Sequence, residues 1–403
     1  MHVARLGDVV SSMKNGLYKP ASEYSDDGMP CLRMYNIDAG LIVWRDIKRM
    51  RVSAEEYAEY GLHEGDLLVN RVNSRELVGK SACIPASLEP SVFESKNIRV
   101  RIDQSKALAK FINYQLFARG SRYFANNAQQ VVGMASISQK QLADFPIVLT
   151  NLDEQRRIVA EIEKQLSRLD EVVANLKRVK ATLKRYKAAI LKVAVDGRLV
   201  PTDGPWLRVE LGAVAQSIRN GYSKKPDAEH GTRILRISAI RPMEVDLNDV
   251  RYLSGAPADY EPFLVEAGDV LFTRYNGNRE YVGVCACIPT DIAPTVYPDK
   301  LIRVRVSIAK IVPQFLTIVA SIGRTREYIK SKVRTTAGQS GISGGDLKSL
   351  PLDIPSVSEQ HRIVAEVDRL FSLVVGIEAE IAASIKRVAQ LRYMTLAKFI
   401  AKI

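Results

Sequence analysis

A decapeptide that occurs twice constrains this chain more than any other feature of its sequence. Residues 154–163 read EQRRIVAEIE and residues 359–368 read EQHRIVAEVD, so the two copies begin 205 positions apart. Internal repeats fix an architecture because each copy folds as the same structural unit. With 403 residues, the chain is long enough for two or three domains.

The blocks around the decapeptide repeat in the same order. LGDVV at 6–10 matches LGAVA at 211–215, and IRVR recurs at 98–101 and 302–305. The longest block, GDLLVNRVNSRELVGKSACIP at 65–85, matches GDVLFTRYNGNREYVGVCACIP at 268–289 with one inserted residue. The sequence therefore predicts two copies of one unit.

The front part of each copy, over 1–150 and 205–355, is predicted to be a mixed α+β domain. Short β-branched runs such as VFESKNIRVRI are separated by Gly, Pro and Asn and are followed by a helical stretch, ALAKFINYQLFA. The IRVR segments are predicted to be strands whose alternating arginines face solvent, with direct DNA contact by these arginines as the alternative.

The back part of each copy, over 151–204 and 356–403, is predicted to be one long helix. Asn151 and Ser356 each precede a glutamate by three positions, as in a capping box. Apolar residues then recur at steps of three and four, the spacing of a helical stripe. They are Ile162, Leu166, Leu169, Val173, Leu176, Val179, Leu183, Tyr186, Ile190 and Val193, and Ile363, Val367, Leu370, Val374, Ile377, Ile381, Ile385, Val388 and Leu391.

Each apolar stripe needs a partner, and the nearest partner for each long helix is the other one. We therefore expect an antiparallel coiled coil that joins two tandem, pseudo-symmetric α+β domains. Each helix of roughly 40 residues would be about 60 Å long.

The composition excludes several functional classes. Lys and Arg number 58 against 45 Asp and Glu, and the net charge of +13 produces a field that attracts polyanions. No apolar run reaches the roughly 18 residues of a membrane span, and MHVARLGDVV has no signal-peptide core, so a cytoplasmic protein is expected. The four cysteines and four histidines match neither zinc-site nor disulfide spacing.

Motifs for catalysis are missing from the sequence. LVGKS at 77–81 resembles the end of a phosphate-binding loop, but Ser74 stands where the first glycine is required. No Asn/Asp-Pro-Pro-aromatic methyltransferase motif, no H-E-x-x-H and no G-x-S-x-G occurs. We therefore predict a binding protein with no catalytic residue and no metal site.

One pair of polar, basic loops carries residue types that read DNA bases. Arg can bond guanine through two atoms, and Asn can bond adenine in the same way. The same residues also form solvated turns between strands, and both readings are open. The candidates are Asn70, Arg71, Asn73 and Arg75 in the first copy and Arg274, Tyr275, Asn276, Asn278 and Arg279 in the second.

Two further loop pairs are candidates for DNA binding. In the first pair an Asn-Gly turn precedes Tyr and Lys, where lysines neutralise phosphates and the tyrosines either touch DNA or pack. The second pair, NNAQQ at 126–130 and RTTAGQS at 334–340, is expected to form loop tips at the same edge. The candidates are Tyr18, Lys19, Tyr222, Lys224 and Lys225, and then Gln130, Arg334, Gln339 and Ser340.

The order of these blocks resembles that of the DNA-specificity subunit of Type I restriction-modification systems. Each mixed domain ends in Ile-Ser and a Leu-x-x-(Phe/Leu)-Pro-(Ile/Leu) segment, which Glu-Gln-x-Arg-Ile-Val and a long helix follow. KRYKAAILKVAVDGRLVPT at 184–202 also looks like the end of that family's central helix. The resemblance covers essentially the whole chain.

The resemblance implies a division of labour. Two target recognition domains, at 1–150 and 205–355, would each read half of a split double-stranded DNA sequence, and the helices would set the gap. The expected partners are two DNA adenine methyltransferase subunits and ATP-driven endonuclease and translocase subunits. S-adenosylmethionine, ATP and Mg²⁺ would bind those partners, and no cofactor is expected in this chain.

Three other functional classes are open at this point. A free-standing DNA-binding regulator would bind tightly alone, whereas a specificity subunit would have a methyltransferase gene beside it. An enzyme such as a fused nuclease would need clustered metal ligands, which the sequence lacks. A pure scaffold would not need a net charge of +13.

If the helices act as a ruler, changing their length changes the recognised gap. Inserting one helical turn within 166–190 is expected to lengthen the gap in the DNA motif and to leave both half-sites unchanged. Mapping the motif of the variant measures this, and an unchanged gap would rule out the ruler.

Overall fold

A four-stranded antiparallel sheet lies at the centre of each of two structural units. In this computed structural model, the structure describes residues 1–131, 134–336 and 339–401. Unit 1 comprises Met1–Lys177 with Ala382–Ile403, and unit 2 comprises Arg178–Ile381. Each unit therefore contains one mixed α+β part and portions of both long helices, which confirms the α+β prediction.

The elements of the first copy run from the amino terminus to the first long helix. The helices are α1 Ala54–Tyr60, α2 Ala109–Gln115, α3 Ser121–Asn127, α4 Gln139–Ala143 and α5 Leu152–Val195. The strands are β1 His2–Arg5, β2 Val10–Asn15, β3 Tyr24–Leu32, β4 Ile37–Asp38, β5 Leu41–Ile42, β6 Lys48–Met50, β7 Leu67–Asn70, β8 Val72–Asn73, β9 Ser81–Cys83, β10 Val92–Phe93, β11 Asn97–Ile102, β12 Gln129–Val131, β13 Met134–Ser136 and β14 Pro146–Leu149.

The second copy repeats this order of elements. The helices are α6 Leu211–Val214, α7 Pro313–Ser321, α8 Gly323–Lys332, α9 Gly344–Lys348 and α10 Val357–Ala401. The strands are β15 Leu207–Glu210, β16 Ala215–Asn220, β17 Thr232–Leu235, β18 Ile240–Arg241, β19 Glu244–Val245, β20 Val250–Leu253, β21 Val270–Thr273, β22 Tyr275–Asn276, β23 Cys285–Cys287, β24 Thr295–Val296, β25 Leu301–Val306, β26 Arg334–Thr336, β27 Gln339–Gly341 and β28 Pro351–Ile354.

The sheet topology is the same in both units. The central sheet has the order β2-β11-β7-β9 in unit 1 and β16-β25-β21-β23 in unit 2. A second sheet of three strands is β10-β3-β6 in unit 1 and β20-β17-β24 in unit 2. A third sheet pairs a β-hairpin with a short strand, as β12-β13-β8 and as β22-β27-β26. The sequence repeat is thus a repeat of topology.

Both faces of each central sheet are covered, which explains why its middle strands are apolar along their whole length. Successive strand residues point to opposite faces. In β7, Leu67 and Val69 join the cluster that contains Phe111 of α2, whereas Leu68 joins a second cluster with Phe93. A strand buried on both faces reads as a continuous apolar run rather than as an alternating one.

The two long helices begin where the sequence predicts. The Asn151 side chain accepts a hydrogen bond from the Glu154 N–H at 2.8 Å, and Ser356 Oγ accepts one from the Glu359 N–H at 3.1 Å. The Glu359 carboxylate, however, accepts hydrogen bonds from Trp206 Nε1 and the Asp203 N–H and does not complete the capping box. Over the residues that the structure describes, none of the helices has the combination of length and apolar character that a membrane crossing requires.

The helices pair in antiparallel fashion within each unit. In unit 1, Arg392 bonds Asp170 at 2.6 Å, and Leu396 is buried with Ile162 and Leu166. In unit 2, Lys187 bonds Glu378 at 3.0 Å. The predicted apolar stripe is wider than the buried seam, because two helices bury only a narrow strip of each other. Its outer positions, Val179, Tyr186, Ile377 and Leu391, are exposed.

The arginines of the IRVR segments do not face solvent, so that prediction is wrong. Arg101 bonds the buried Asp66 at 2.9 Å, and the buried Arg99 donates to the Gly61 carbonyl at 2.7 Å. The equivalent cluster in unit 2 has Arg305 on Asp269 at 2.8 Å and Arg303 on the Leu264 carbonyl at 2.6 Å. Alternation places the two arginines of a strand on one face. That face carries a buried carboxylate.

Asp269→Asn is expected to destabilise unit 2 by about 3 to 5 kcal/mol, because it leaves the buried Arg303 without its counter-charge. Urea unfolding measures the loss. As a control, Asp353→Asn removes the exposed ion pair with Arg208 and should cost less than about 1 kcal/mol. Equal losses in the two variants would contradict the importance of the buried cluster.

Candidate nucleic-acid interface

Four loops of unit 2 meet at the edge of its sheets, and we call this place the unit 2 loop junction. It consists of residues 222–225, 236–238, 274–276 and 298–300. The Asp299 N–H donates to the Tyr222 carbonyl at 2.8 Å, and the Arg274 N–H donates to the Lys300 carbonyl at 2.8 Å. These main-chain bonds hold the loops beside one another.

A basic groove opens at the unit 2 loop junction. Its volume is about 450 Å³. Lys224, Lys225, Arg251 and Lys300 lie on this groove, and Lys224 also interacts electrostatically with Asp227. A cluster of cations favours a polyanion, because each one that meets a phosphate releases a condensed counterion. The groove is lined by Lys224, Lys225, Arg236, Arg251 and Lys300 together with Tyr222, Ser223, Pro226, Ile234, Leu235, Ile237, Ser238, Pro298 and Asp299.

Arg274 lies beside this groove and is held by an aromatic ring and a carbonyl. Its guanidinium lies 4.6 Å from the centre of the Tyr275 ring, and Nη1 donates to the Asp299 carbonyl at 3.3 Å. Its Nε is buried and has no partner among the described residues. A planar guanidinium oriented by an aromatic ring suits recognition through two parallel hydrogen bonds.

Unit 1 has an equivalent arrangement, the unit 1 loop junction, formed by residues 17–19, 33–35, 71–73 and 94–96. The Ser95 N–H donates to the Leu17 carbonyl at 2.9 Å, and the Arg71 N–H donates to the Lys96 carbonyl at 2.9 Å. The Met34 N–H donates to Glu94 Oε1 at 2.8 Å. Arg71 is half-buried, and its Nε also lacks a partner in the described part of the chain.

Asn70 and Asn73 belong to a buried amide network, and their assignment as base-reading residues is wrong. Asn73 Nδ2 donates to Asn70 Oδ1 at 2.9 Å, and Asn70 Nδ2 donates to Asn97 Oδ1 at 2.5 Å. Both side chains are buried. A buried amide must be hydrogen-bonded inside the protein, so these groups are unavailable to a base.

Lys19 is also engaged inside the protein. Its ammonium donates to Glu56 Oε2 at 2.7 Å and to the Arg51 carbonyl at 2.6 Å. The side chain is largely buried, which removes it from the phosphate-contact candidates. Its neighbour Tyr18 is 83% exposed and stays a candidate.

Tyr222 packs, in agreement with the structural alternative for this residue. Its ring meets Tyr260 and Phe263 edge-on, with centroids 5.3 and 5.4 Å apart. Tyr222 forms an isolated parallel β-bridge with Pro298, and Leu17 forms the same kind of bridge with Glu94. The structural equivalent of Tyr222 is therefore Leu17, and not Tyr18.

The remaining polar residues of these loops hold their own turns. Asn276 Oδ1 accepts from the Asn278 N–H at 2.9 Å, and Asn278 Oδ1 accepts from the Glu280 N–H at 3.0 Å. Arg75 donates to the Ala125 carbonyl at 3.0 Å, and Arg279 reaches the Lys330 carbonyl at 3.5 Å. These contacts favour the turn-forming interpretation, although the two arginines are exposed.

The two polar runs are not plain loops. In the first, Asn126 and Asn127 end α3 and the glutamines begin β12, whereas the second contributes to β26 and β27. In each unit one strand of this sheet pairs with the short strand that follows Arg71 or Arg274, so the structure places the two candidate segments side by side. Gln130 lies in β12, but its side chain falls outside the described residues. Arg334 and Gln339 are exposed, whereas Ser340 is buried and its Oγ lies 3.0 Å from Thr335 Oγ1, which removes it from the candidates.

Several residues at the loop junctions were missed because nothing in the sequence marks them. Arg33, Lys96, Arg236 and Lys300 lie in short segments without a motif, and Arg251, which lines the groove, lies in β20. The equivalence of positions in the two copies is the signal that would have found them, because Lys96 and Lys300 both precede the IRVR strand. Within residues 1–131, 134–336 and 339–401, no group of His, Cys, Asp and Glu could hold a metal ion.

Comparison with known proteins identifies the family. The family model of the Type I restriction modification DNA specificity domain matches residues 1–185. The EcoKI specificity subunit of Escherichia coli strain K12, a Type I restriction enzyme subunit, is 30% identical over 411 residues, which cover 98% of this chain and 87% of that protein. The chain belongs to the family of Type I restriction enzyme specificity subunits. The StySPI specificity subunit of Salmonella potsdam is 26% identical, over 93% of this chain and 82% of its own length.

Two solved structures share the fold of this chain. A chain from a study of complex assembly and conformational transition in the type I R-M system has a TM-score of 0.65 at 18% identity, covering 99% of this chain and 97% of that chain. The HsdS subunit from Thermoanaerobacter tengcongensis has a TM-score of 0.54 at 17% identity, covering 99% of this chain and 96% of that chain. The predictions of a specificity subunit, and not of a catalytic subunit, are confirmed by this membership.

Arg71→Ala and Arg274→Ala are each expected to relax the readout of one half-site. If each guanidinium makes a two-bond base contact, discrimination at that position falls by about 1 to 3 kcal/mol. Binding selection on randomised DNA measures the preference. Lys225→Ala is the control, because a phosphate contact weakens binding to all sequences alike. Arginine variants that behave like the control would be phosphate contacts.

Proposed function

We propose that this chain directs a Type I restriction-modification complex to a split DNA target, with the loop junction of each unit reading one half. The observation that carries the proposal is the basic groove of unit 2. Lysine and arginine side chains line a groove, and the Arg274 guanidinium lies at its edge against the Tyr275 ring. Cations supply affinity for phosphates and position the protein, whereas the arginine can supply sequence discrimination.

The repeated topology supports reading in two halves. Both loop junctions rest on the same sheet order, and in both a main-chain hydrogen bond ties the central arginine to the lysine before the IRVR strand. Two recognition units with the same backbone can bind different DNA sequences through different side chains. A bipartite target follows from this duplication.

The long helices are proposed to set the spacing between the halves. Both helices contribute to both units, and their antiparallel contacts include the ion pairs Asp170 with Arg392 and Lys187 with Glu378. A paired helix resists bending better than a loop would. The spacing is therefore a property of helix length.

The chemistry is proposed to reside on partner subunits. Two DNA adenine methyltransferase subunits would use S-adenosylmethionine, and endonuclease and translocase subunits would use ATP and Mg²⁺. The relatives are named as specificity subunits of restriction enzymes, which supports a place within such a complex. This chain would contribute recognition of the target sequence.

A methylation map of DNA tests the proposal. DNA from cells that express this chain with its candidate methyltransferase partner is compared with DNA from cells that express the partner alone. The expected result is a split motif with modified adenines that requires this chain. An assembled complex without any chain-dependent motif would contradict the proposal and favour a free-standing regulator.

A further inference from the structure

The two loop junctions share one backbone segment, residues 33–46 in unit 1 and 236–249 in unit 2. Each segment contains a hairpin with a two-residue turn, in which Ile37 pairs with Ile42 and Ile240 pairs with Val245. In each unit, the residue after the hairpin donates a main-chain hydrogen bond to the residue before the hairpin. The Val43 N–H donates to the Asn36 carbonyl, and the Asp246 N–H donates to the Ala239 carbonyl, both at 2.8 Å. Position 35 is thus equivalent to 238, and 44 to 247.

The two segments share an arginine at their first position, Arg33 and Arg236, and an aspartate at their last, but the side chains at positions 35 and 44 differ from those at 238 and 247. In unit 1, Tyr35 is 67% exposed and Trp44 is 45% exposed, and the Arg33 guanidinium lies 5.6 Å from the centre of the Tyr35 ring. In unit 2, the equivalent of Tyr35 is Ser238, which hydrogen-bonds Asp249. Asp249 also pairs with Arg236 at 3.1 Å. One unit presents aromatic rings where the other presents a polar network.

The rings of unit 1 are held on a rigid support. The buried Asn36 donates from Nδ2 to the carbonyls of Val43 and Arg45, at 3.2 and 2.9 Å, and its Oδ1 accepts from the Arg33 N–H at 2.9 Å. At the far end of the hairpin, Asn113 Nδ2 of α2 donates to the Gly40 carbonyl at 3.0 Å. The amide of Asn36 therefore fixes the segments that carry both rings.

The turn of this hairpin adds to its rigidity. Ala39 and Gly40 both have positive φ, at +48° and +79°, as a two-residue turn that matches the strand twist requires. A preorganised aromatic side chain loses little conformational entropy when it meets a ligand. Exposed rings on a fixed support are suited to recognition and contribute little to the core.

We propose that Tyr35 and Trp44 are specificity-determining residues, whose rings read the half-site of unit 1 by apolar contact with a T·A base pair. This inference rests on the proposed function. Thymine is the base that offers a methyl group in the major groove, and an aromatic ring contacts it without a hydrogen bond. Arg33, against the Tyr35 ring, supplies phosphate attraction, whereas the exposed Arg45 lies 3.7 Å from Asp46 Oδ2. At the same place in unit 2, Arg236 reads by hydrogen bonds, with Asp249 fixing its geometry.

The test compares ring removal with ring retention in the whole chain. Tyr35→Ala, Tyr35→Phe, Trp44→Leu and the matched unit 2 variant Ser238→Ala are each expressed with the methyltransferase partner, and the methylated motif is mapped. Tyr35→Ala and Trp44→Leu should lower the preference for a T·A pair by about tenfold in one half-site, in line with the loss of one base contact. Tyr35→Phe should keep the wild-type motif, and Ser238→Ala should leave that half-site unchanged.

The outcomes separate this inference from the proposed function. If the wild type gives a split motif and both ring-removing variants give the same motif, the inference is overturned and the proposed function stands. Relaxation of a G·C position, or equal loss on every sequence, also overturns it. If the wild type gives no chain-dependent motif, both fail. Thermal unfolding of each purified variant excludes loss of fold, because both rings are exposed and their removal should leave the melting temperature unchanged.

Discussion

The buried aspartate and arginine cluster of each unit is the interaction on which the rest of that unit depends. Asp66 and Asp269 lie inside the protein at the start of a central strand, and each holds two arginines of the neighbouring strand. In unit 1, burial lowers the pKa of Arg99. In unit 2, the hydrogen bonds between Arg305 and Asp269 raise the pKa of Arg305. A buried charge is tolerated only when it is paired and hydrogen-bonded, so the cluster forms as a whole.

This cluster connects the core to the surface. The strand that carries the arginines, β11 or β25, begins directly after Lys96 or Lys300. The lysine carbonyl in turn accepts the main-chain hydrogen bond of Arg71 or Arg274. The loops of each junction are therefore bonded to the start of a strand that the buried carboxylate holds in place through its arginines. A duplicated core can in this way support two surfaces whose side chains differ freely.

Much of the fold could be predicted from the sequence because repeat and period are global signals. The offset of the decapeptide predicted two copies, and the steps of three and four predicted the helices that the structure places at Leu152–Val195 and Val357–Ala401. The repeat and the period do not predict how wide the buried seam between the two helices is. Burial along a helix depends on the partner surface, and Tyr186 and Ile377 fall just outside it.

The candidate site could be predicted only in part, because residue type does not say whether a polar group is used inside the protein. Asn70, Lys19 and the IRVR arginines have the chemistry of DNA contacts, but each has its partners in the same unit. Tyr35 and Trp44 were missed for the opposite reason. An aromatic residue in a sequence is usually assigned to the core, and only the structure shows that these rings are exposed.

The central claim is that each unit reads its own half of the DNA target through its loop junction. The most direct measurement is the structure of the complex of this chain and its methyltransferase partner on DNA that carries the mapped motif. The account predicts that Tyr35 and Arg274 contact base edges in different halves of the motif, with Lys224 and Lys225 on phosphates. DNA that lies on another surface of the units, or that contacts the loop junctions through phosphates alone, would contradict it.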